Sequence, residues 1–253
     1  MKLNNKFAAI VTVRSTSSRL KNKCFKPLFE DISMIQIVIR RAKKIGCQVI
    51  LATSEDASDD KLVEIAKSEN VLHFRGSLKN KIHRWHQCFL QFNLEYGVLI
   101  DADDPSFSFT VAKRALIQLK NNKSEIITGS RDMMPGLITY GLSARGMTKL
   151  FYVAADFHLD TDVIEIFVKK ANLINSNIDP IEGERALPNI RLTVDYKEDL
   201  SFYRALFKET YYLEESSSLI KKIIELKISN INWFRNEEFI NNQFSFNEGV
   251  NFE

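Results

Sequence analysis

Residues 7–13 read Phe-Ala-Ala-Ile-Val-Thr-Val, and residues 14–23 read Arg-Ser-Thr-Ser-Ser-Arg-Leu-Lys-Asn-Lys. The first run is apolar with a β-branched end and is too short for a helix, which predicts a buried strand. The second run predicts a polar loop. After it, apolar residues recur at helical spacing from Met34 to Ile45, and Gly46 stands where a left-handed helix cap belongs. A strand, a loop and a helix in this order open an α/β unit.

The same alternation continues outward from this unit. Further strands are predicted at Gln48 to Thr53, Val71 to Phe74, Val98 to Ile100 and Glu125 to Thr128, with amphipathic helices between them. Strands that alternate with helices are typical of right-handed βαβ crossovers and of a mainly parallel sheet that is covered on both faces. We therefore predict an α/β fold with three Rossmann-like layers, αβα.

The alternation loosens between residues 131 and 188. Within this region the sequence predicts a turn at Pro135-Gly136, a strand over 137–143 and helices near 147–155 and 162–171. We expect an insertion at the sheet edge, within a single domain that spans 1–253. Beyond it the sequence predicts a strand over Ile190 to Val194 and helices over 197–207 and 216–226, whereas the tail after Asn241 has little pattern.

Composition excludes several classes of protein. Hydrophobic residues make up 45% and charged residues 26% of the 253 positions, which rules out a disordered chain. The 35 Lys and Arg residues exceed the 32 Asp and Glu residues by three, and this net charge of +3 is too small for broad nucleic-acid binding. No apolar run approaches the roughly 20 residues that cross a bilayer, so we expect a cytoplasmic protein without a membrane partner. Three widely spaced cysteines, Cys24, Cys47 and Cys88, predict neither a disulfide framework nor a zinc site.

The loop after the first strand is basic, and ligands of open α/β sheets bind beyond the carboxyl ends of the strands. Its backbone N–H groups and small hydroxyl side chains can wrap a triphosphate, while Arg19 and Lys23 neutralise the charge. A solvated basic loop without a ligand has the same pattern. The residues alone leave both interpretations open.

Three carboxylates follow the predicted strand at Val98 to Ile100. Asp101, Asp103 and Asp104 lie within four residues, and like charges this close repel unless a cation compensates them, which predicts a magnesium site. An acidic turn that caps the next helix is the alternative. Asp195 follows the predicted strand at 190–194 as a second metal ligand or as a helix cap, and its spacing does not separate these roles.

These patterns resemble those of the bacterial cytidylyltransferase family, which includes the CMP-Kdo and CMP-sialic acid synthetases and the spore-coat polysaccharide type. In the basic loop the matching residues are Arg14, Ser17, Arg19, Leu20 and Lys23. Further matches follow in the family's order: Ala52-Thr53-Ser54, Asp59-Asp60 with Leu62, Phe74-Arg75-Gly76-Ser77, Asp103-Asp104-Pro105, and Arg191 to Asp195 with Glu198-Asp199-Leu200. The chain departs from the family at Lys21-Asn22, where relatives have Pro-Gly, and at Asn80-Lys81, where they have an acidic pair.

The resemblance implies the nucleotidyltransferase form of this fold, which is similar to the GT-A fold, and transfer of CMP from CTP to an acidic sugar with release of pyrophosphate. The acceptor would be a 2-keto sugar acid of the Kdo or sialic-acid type, used for surface polysaccharide. Carried over by position, Arg14, Ser17, Arg19 and Lys23 would hold the triphosphate, and Asp103 and Asp195 would hold Mg²⁺. Thr53, Arg75 and Ser77 would complete the nucleotide site, and Arg19, Lys23 and Asp103 would be catalytic.

Two further expectations concern the region 131–188. A bidentate guanidinium is the usual partner of a carboxylate, so the candidates for binding the acceptor acid are Arg131, Arg145 and Arg185. A homodimer is expected because the region resembles, in position, the one through which relatives pair. The apolar residues that would face a partner, or else cover the chain's own sheet, are Phe151, Tyr152, Val153, Ile164, Phe167 and Val168.

Two other functions fit part of the sequence. Asp101-Ala102-Asp103 is also the D-x-D pattern with which GT-A glycosyltransferases bind a metal and a nucleotide sugar, although such an enzyme has no need for Arg19 and Lys23 after the first strand. A degenerate, non-catalytic nucleotide-binding member is the third possibility, but an idle site has little reason to keep both metal-type carboxylates. His83 and His86 lack a third ligand in the sequence nearby and are assigned no metal.

Overall fold

The computed structural model describes residues 3–16, 20–155, 161 and 164–248. The strands in these ranges are β1 (Phe7–Thr12), β2 (Pro27–Phe29), β3 (Ile32–Ser33), β4 (Gln48–Ser54), β5 (Leu72–Gly76), β6 (Tyr96–Asp101), β7 (Ile126–Gly129), β8 (Tyr140–Ser143) and β9 (Asn175–Ile178). The α-helices are α1 (Met34–Lys43), α2 (Asp60–Ser68), α3 (Lys81–Gln91), α4 (Phe109–Asn122), α5 (Ala144–Val153), α6 (Glu165–Lys170), α7 (Lys197–Glu209), α8 (Ser216–Glu225) and α9 (Asn236–Glu248). Every strand and helix predicted up to β7 is present.

One sheet organises the molecule, with seven strands in the order β5-β4-β1-β6-β8-β7-β9. β8 runs antiparallel to β6 and β7, and the other neighbouring pairs are parallel. β2 and β3 form a separate antiparallel pair. The mainly parallel sheet predicted from the sequence is therefore confirmed.

β1 lies in the middle of the sheet because its sequence has no polar face. All six of its residues are buried, and β4 and β6 pair with its two edges. Successive side chains point to opposite faces, so Ala9 and Val11 join one hydrophobic cluster while Ala8 and Ile10 join another. Helices α1, α2, α4, α7 and α8 pack in the first cluster and form the first helical layer; α3, α5 and α6 pack in the second cluster and form the second layer. The three predicted layers are present.

The segment from Ile190 to Val194 is not a strand, and the prediction of one was wrong. The N–H of Leu192 donates to the carbonyl of Pro135 at 3.0 Å, and the N–H of Val194 donates to the carbonyl of Asp103 at 2.8 Å. These partners lie in the loops after β7 and β6, so the segment crosses the carboxyl ends of the strands. Its sequence has the apolar pattern of a strand because Leu192 and Val194 are buried in the first cluster.

The region 131–188 contributes to the interior of the sheet as well as to its edge. β8 lies between β6 and β7, and β9 forms the edge. β9 was not predicted because it reads Asn-Ser-Asn-Ile, with one buried residue and no apolar alternation. α9 extends into the tail after Asn241 that showed little pattern, and residues 249–253 lie outside the described ranges. α6 is shorter than the predicted helix over 162–171, of which residues 162 and 163 lie outside the described ranges.

Part of the proposed dimer surface belongs to the chain's own core. Ile164 and Phe167 are buried in the second cluster and cover the sheet. Phe151 stacks on His86 with a centroid distance of 4.1 Å, whereas Tyr152 is 73% exposed. The homodimer therefore stays a prediction with fewer apolar residues to support it.

The structure also bears on two class exclusions. Over the ranges described, none of the helices combines the length and the apolar character that crossing a membrane requires. All three cysteines are free, as the sequence predicted.

Candidate active site

The polar residues singled out at the strand ends lie together at the carboxyl ends of the parallel strands, which we call the carboxyl edge of the sheet. In the parallel register, Thr12 of β1 pairs with Asp101 of β6, and Thr53 of β4 pairs with Arg75 of β5. β1 and β4 are themselves in parallel register. The carboxyl ends of four strands therefore meet, and the loops that follow them form one site.

The loop after β1 turns at Asn22, whose backbone lies in the left-handed region with φ 57°. Among residues with a side chain, Asn tolerates this region best, so Asn22 can make the turn without glycine. A short 3-10 helix over Lys23–Phe25 follows directly and fixes the position of Lys23. Ser17 and Arg19, which were predicted to bind the triphosphate, lie outside the described residues.

Lys23 joins the two predicted metal ligands. Its ammonium group donates to Asp103 Oδ2 at 2.6 Å, to Asp195 Oδ1 at 3.2 Å and to the carbonyl oxygen of Val194 at 2.6 Å. The Asp195 side chain is only 2% exposed, but that of Asp103 is 26% exposed, so the cluster opens to solvent on the Asp103 side. Burial acts to raise the pKa of Asp103, but the ammonium groups of Lys23 and Lys81 outweigh it and lower that pKa. The two carboxylates meet although Asp195 ends a crossing segment and not a neighbouring strand.

Asp195 is not the cap of α7. The cap residue is Tyr196, and the capping carboxylate is that of Asp199, which accepts from the backbone N–H groups of Asp195 and Tyr196 at 2.8 Å each. Arg191 donates to the other oxygen of Asp199 at 2.6 Å and keeps it in place. The Asp195 carboxylate is therefore left to face Lys23. The spacing left open whether Asp195 is a metal ligand or a helix cap, and its geometry favours contact with a cation.

The acidic turn after β6 does not cap the next helix either. α4 begins at Phe109, and its cap is Ser108. Asp101 accepts from Lys81 Nζ at 2.8 Å, whereas Asp103 accepts from Lys23. Asp104 is buried, and this burial together with the carboxylates of Asp103 and Asp101 raises its pKa well above the ordinary range.

Among the described residues predicted to contact the nucleotide, Arg14, Thr53, Arg75 and Ser77 lie at the carboxyl ends of the strands, and their polar groups form hydrogen bonds within the protein. Arg14 donates to the carbonyl of Leu78 at 2.7 Å, and Arg75 donates to the carbonyls of Ser54 and Asp56 and to the carboxylate of Asp60. The Thr53 hydroxyl donates to Asp59 at 2.8 Å, and the Ser77 hydroxyl accepts from the N–H of Asn80 at 3.0 Å. Thr53 and Ser77 are buried by these contacts, so the structure places them as supports of the loops.

Sequence reasoning assigned no site role to Asp59, which was considered only as a match to the family. Its buried carboxylate accepts from the N–H of Ser15 at 2.7 Å, from Thr53 and from the N–H of Ser54 at 3.1 Å. The Ser54 hydroxyl also donates to Asp59. Burial acts to raise the pKa of Asp59, but the hydrogen bonds, led by that of the Ser54 side chain and followed by that of Ser15, lower it. Asp59 thus ties the loop after β1 to the end of β4. The signals available in the sequence were the match to the family and the position of Asp59 five residues after the end of β4.

Lys81 was likewise not assigned a role. It begins α3, its ammonium group contacts Asp101, and it lies 5.1 Å from the ring centroid of Trp85. The indole N–H of Trp85 donates to the Thr12 hydroxyl at 3.1 Å, at the end of β1. In the sequence, a role for Lys81 was indicated by the change at Asn80-Lys81, where relatives have an acidic pair.

The three arginines proposed for the acceptor are not gathered at the site. Arg145 binds Glu125 at 2.7 Å, and the pairing of Ser143 with Tyr96 places its helix at the amino end of β6, so its prediction as an acceptor ligand was wrong. Arg185 is paired with the exposed Asp132 at 2.6 Å, beyond the carboxyl end of β7. Arg131 is exposed in the same loop.

The cluster around Lys23 has the donor set of a site for a hard cation. Two carboxylate oxygens and one carbonyl oxygen converge on a single positive charge. Mg²⁺ commonly takes one or two protein carboxylates and completes its shell with water and substrate phosphates. In residues 3–16, 20–155, 161 and 164–248, no three acidic, His or Cys side chains form a complete ligand set. The donor set around Lys23 is therefore of the kind that Mg²⁺ takes in proteins.

The chain is similar to several known proteins. A family model described as cytidylyltransferase matches residues 8–229. An uncharacterized protein of Methanocaldococcus jannaschii is 28% identical over 207 residues, which covers 80% of this chain and 84% of that protein. A solved cytidylyltransferase from Leptospira borgpetersenii superposes with a TM-score of 0.78 at 22% identity, over 90% of this chain and 97% of that one. A CMP:2-keto-3-deoxy-manno-octonic acid synthetase in complex with CTP superposes with a TM-score of 0.61 at 12% identity, over 80% and 98% of the two chains.

Proposed function

Because the chain belongs to the cytidylyltransferase family, we propose that it transfers CMP from CTP to a 2-keto sugar acid and releases pyrophosphate. The observation that carries the proposal is the convergence of Lys23, Asp103 and Asp195 at the carboxyl edge of the sheet. Nucleotidyl transfer asks a protein mainly to position charged groups and to neutralise phosphate, and this cluster supplies a cation and two carboxylates for that purpose. The likeness to a CMP:2-keto-3-deoxy-manno-octonic acid synthetase supports the choice of acceptor class.

The reaction needs no covalent intermediate on the protein. The acceptor hydroxyl oxygen forms a bond to the α-phosphorus of CTP, the bond from that phosphorus to the bridging oxygen breaks, and the hydroxyl proton is lost to water. Attack and departure occur on opposite sides of the phosphorus. The ammonium group of Lys23 would then stabilise the negative charge that develops on the departing pyrophosphate.

Asp103 and Asp195 would hold Mg²⁺ in this proposal. The ion supplies neutralisation of phosphate charge and a template for the triphosphate. Lys23 now takes the position between the two carboxylates, so it must give way to a divalent ion and bind the triphosphate instead. Arg191 and Asp199 keep Asp195 directed at this position throughout.

A GT-A glycosyltransferase is less well supported. In a D-x-D metal site the two carboxylates act on one ion, whereas Asp101 and Asp103 contact two different lysines, Lys81 and Lys23. The non-catalytic alternative predicts nucleotide binding without turnover. A turnover assay separates it from the proposed enzyme.

The direct test is acceptor-dependent release of pyrophosphate from CTP and Mg²⁺, measured across a panel of 2-keto sugar acids with ATP, GTP and UTP as nucleotide controls. We expect release with CTP and at least one acid, together with formation of the CMP-sugar. Release of a nucleoside diphosphate from a nucleotide-sugar donor, with no pyrophosphate released from CTP, would support the glycosyltransferase. CTP binding without any turnover would support the non-catalytic alternative.

A further inference from the structure

A second ion pair lies at the site and has no role in holding the triphosphate as proposed above. Lys81 Nζ donates to Asp101 Oδ1 at 2.8 Å, and the side chains of Lys81 and Asp101 are 15% and 27% exposed. The hydroxyl of Thr139, just before β8, lies 3.4 Å from Asp101 Oδ2. The pair is therefore partly open to solvent and is bordered by the region 131–188.

The two ion pairs lie toward opposite faces of the sheet. Lys23 is flanked by Cys24 and Val194, which are buried in the first cluster, so its pair with Asp103 lies toward the first helical layer. Lys81 packs on Trp85, which is buried in the second cluster, so its pair with Asp101 lies toward the second layer. The end of β6 thus presents one lysine on each side.

In an in-line displacement, the attacking group and the leaving group lie on opposite sides of the phosphorus. If the pyrophosphate leaves toward Lys23, the acceptor must approach the α-phosphorus from the opposite side, which is the side of Lys81. The carboxylates of Asp101 and Asp103 would repel an acidic acceptor there unless a cation stands beside them. Lys81 is a cation in that position.

The start of α3 is also fixed against the region 131–188. The Asn80 side-chain amide donates to the carbonyl of Ala154 at 2.8 Å, and the N–H of Ile82 donates to the Thr161 hydroxyl at 3.2 Å. α5 packs on α3 within the second cluster. Lys81 therefore lies at the junction between the nucleotide edge and the region that we expected to bind the acceptor.

We propose that Lys81 is a specificity residue whose ammonium group binds the carboxylate of the acceptor sugar acid. The inference rests on the proposed function and identifies the side of the site that receives the acceptor. An ammonium group has three N–H donors, and the contacts seen among the described residues use one of them, on Asp101. The remaining donors can serve a second carboxylate, while Asp101 and the ring of Trp85 hold the ammonium group in place.

The test compares Lys81→Met with the wild-type enzyme, using 2-keto-3-deoxy-manno-octonic acid, or the best acid of the panel, and its carboxamide as paired acceptors. Met keeps much of the length of the side chain and its packing on Trp85 while the charge is removed. We expect KM for the acid to rise at least ~10-fold and the preference for the acid over the carboxamide to fall by a similar factor. The Kd for CTP, measured by calorimetry with Mg²⁺, should not change. Lys81→Arg should restore part of the preference.

Lys79→Met is the matched control, since Lys79 is exposed in the same loop two residues earlier. It should leave both acceptors unaffected. If Lys81→Met turns over normally and keeps the wild-type preference for the acid, the inference is wrong while the proposed function stands. If the wild-type enzyme releases no pyrophosphate with any acid, the proposed function fails and the inference falls with it. A loss of CTP affinity with an unchanged acid preference would assign Lys81 to the nucleotide and also overturn the inference.

Discussion

At the scale of single residues, the site is a set of charges that compensate one another. Lys23 is the central one, because its ammonium group occupies the point where Asp103, Asp195 and a backbone carbonyl meet. Without that positive charge, two carboxylates would face each other with little solvent, which is unfavourable unless another cation is present. In the proposed mechanism, Lys23 and a divalent ion would therefore compete for the same oxygens.

This competition predicts the behaviour of Lys23→Met. Mg²⁺ should raise the melting temperature of the variant more than that of the wild-type protein, because the variant's carboxylates have no internal cation. Turnover of CTP should fall at least ~100-fold, since a preorganised charge near the phosphates is lost. Thermal unfolding at a series of Mg²⁺ concentrations measures the first effect, with Lys26→Met as a control in the same segment. An equal response of variant and wild type to Mg²⁺ would contradict the competition.

At the scale of elements, the site depends on how the loops leave the strands. The 3-10 helix that carries Lys23 begins after Asn22, whose positive φ lets the chain turn toward the carboxylates. The crossing segment that carries Asp195 is held by Arg191 and Asp199 and by backbone bonds to two loops. Lys23 and Asp195 are therefore positioned by loops whose geometry is fixed by contacts within the protein.

Substitutions at Asn22 test the turn. Asn22→Gly should keep activity and stability, because glycine adopts a positive φ without strain. Asn22→Val should lower the free energy of unfolding by about 1–2 kcal/mol, since a β-branched residue is strained there, and should reduce turnover by displacing Lys23. Urea unfolding and the pyrophosphate assay measure the two effects. Equal stability of the Gly and Val variants would show that the turn does not constrain Lys23.

The elements also show what the sequence can and cannot reveal. β1, β4, β5, β6 and β7 were predictable from short runs rich in apolar residues between turn signals, and the three-layer fold followed from their alternation with helices. The short strands β2 and β3 were not predicted. The segment 190–194 was wrongly predicted to be a strand because its apolar residues are there for burial in the first cluster and not for pairing in the sheet. The meeting of Asp103 with Asp195 followed from the family resemblance, since they are 92 positions apart in the sequence. The pairing of Asp101 with Lys81 could not be predicted, because no local pattern encodes which lysine approaches which carboxylate.

At the scale of the whole molecule, the interior holds charged side chains from distant parts of the chain, among them Arg41 and, from the region 131–188, Glu184. Arg41 of α1 is fully buried and donates to the carbonyls of Tyr212 and Phe107 and to the hydroxyl of Ser216, at the start of α8. Glu184 is fully buried as well, and burial is the main cause that raises its pKa above the ordinary range. The core therefore contains a carboxyl group whose ionisation opposes folding.

The sign of this effect can be tested with Glu184→Gln. A folded pKa above the unfolded value confers stability that is complete below the unfolded pKa and is lost as the pH rises through the folded pKa. The variant lacks this loss, so its free energy of unfolding relative to the wild type should increase from pH 4 to pH 8. Urea unfolding of both proteins across that range measures the difference. A difference that is constant with pH, or that decreases, would contradict the buried-carboxyl account.

The central claim is that Asp103 and Asp195 act together on one Mg²⁺ ion and the triphosphate of CTP. The most direct measurement is kcat/KM for pyrophosphate release by Asp103→Asn, Asp195→Asn and the double variant, with folding of each confirmed by thermal unfolding. We expect each single change to lower the rate at least ~100-fold. The double variant should be little worse than the poorer single one, because both residues act through one ion. Wild-type turnover by either single variant, or full wild-type activity in excess chelator, would show that these carboxylates do not hold a catalytic metal.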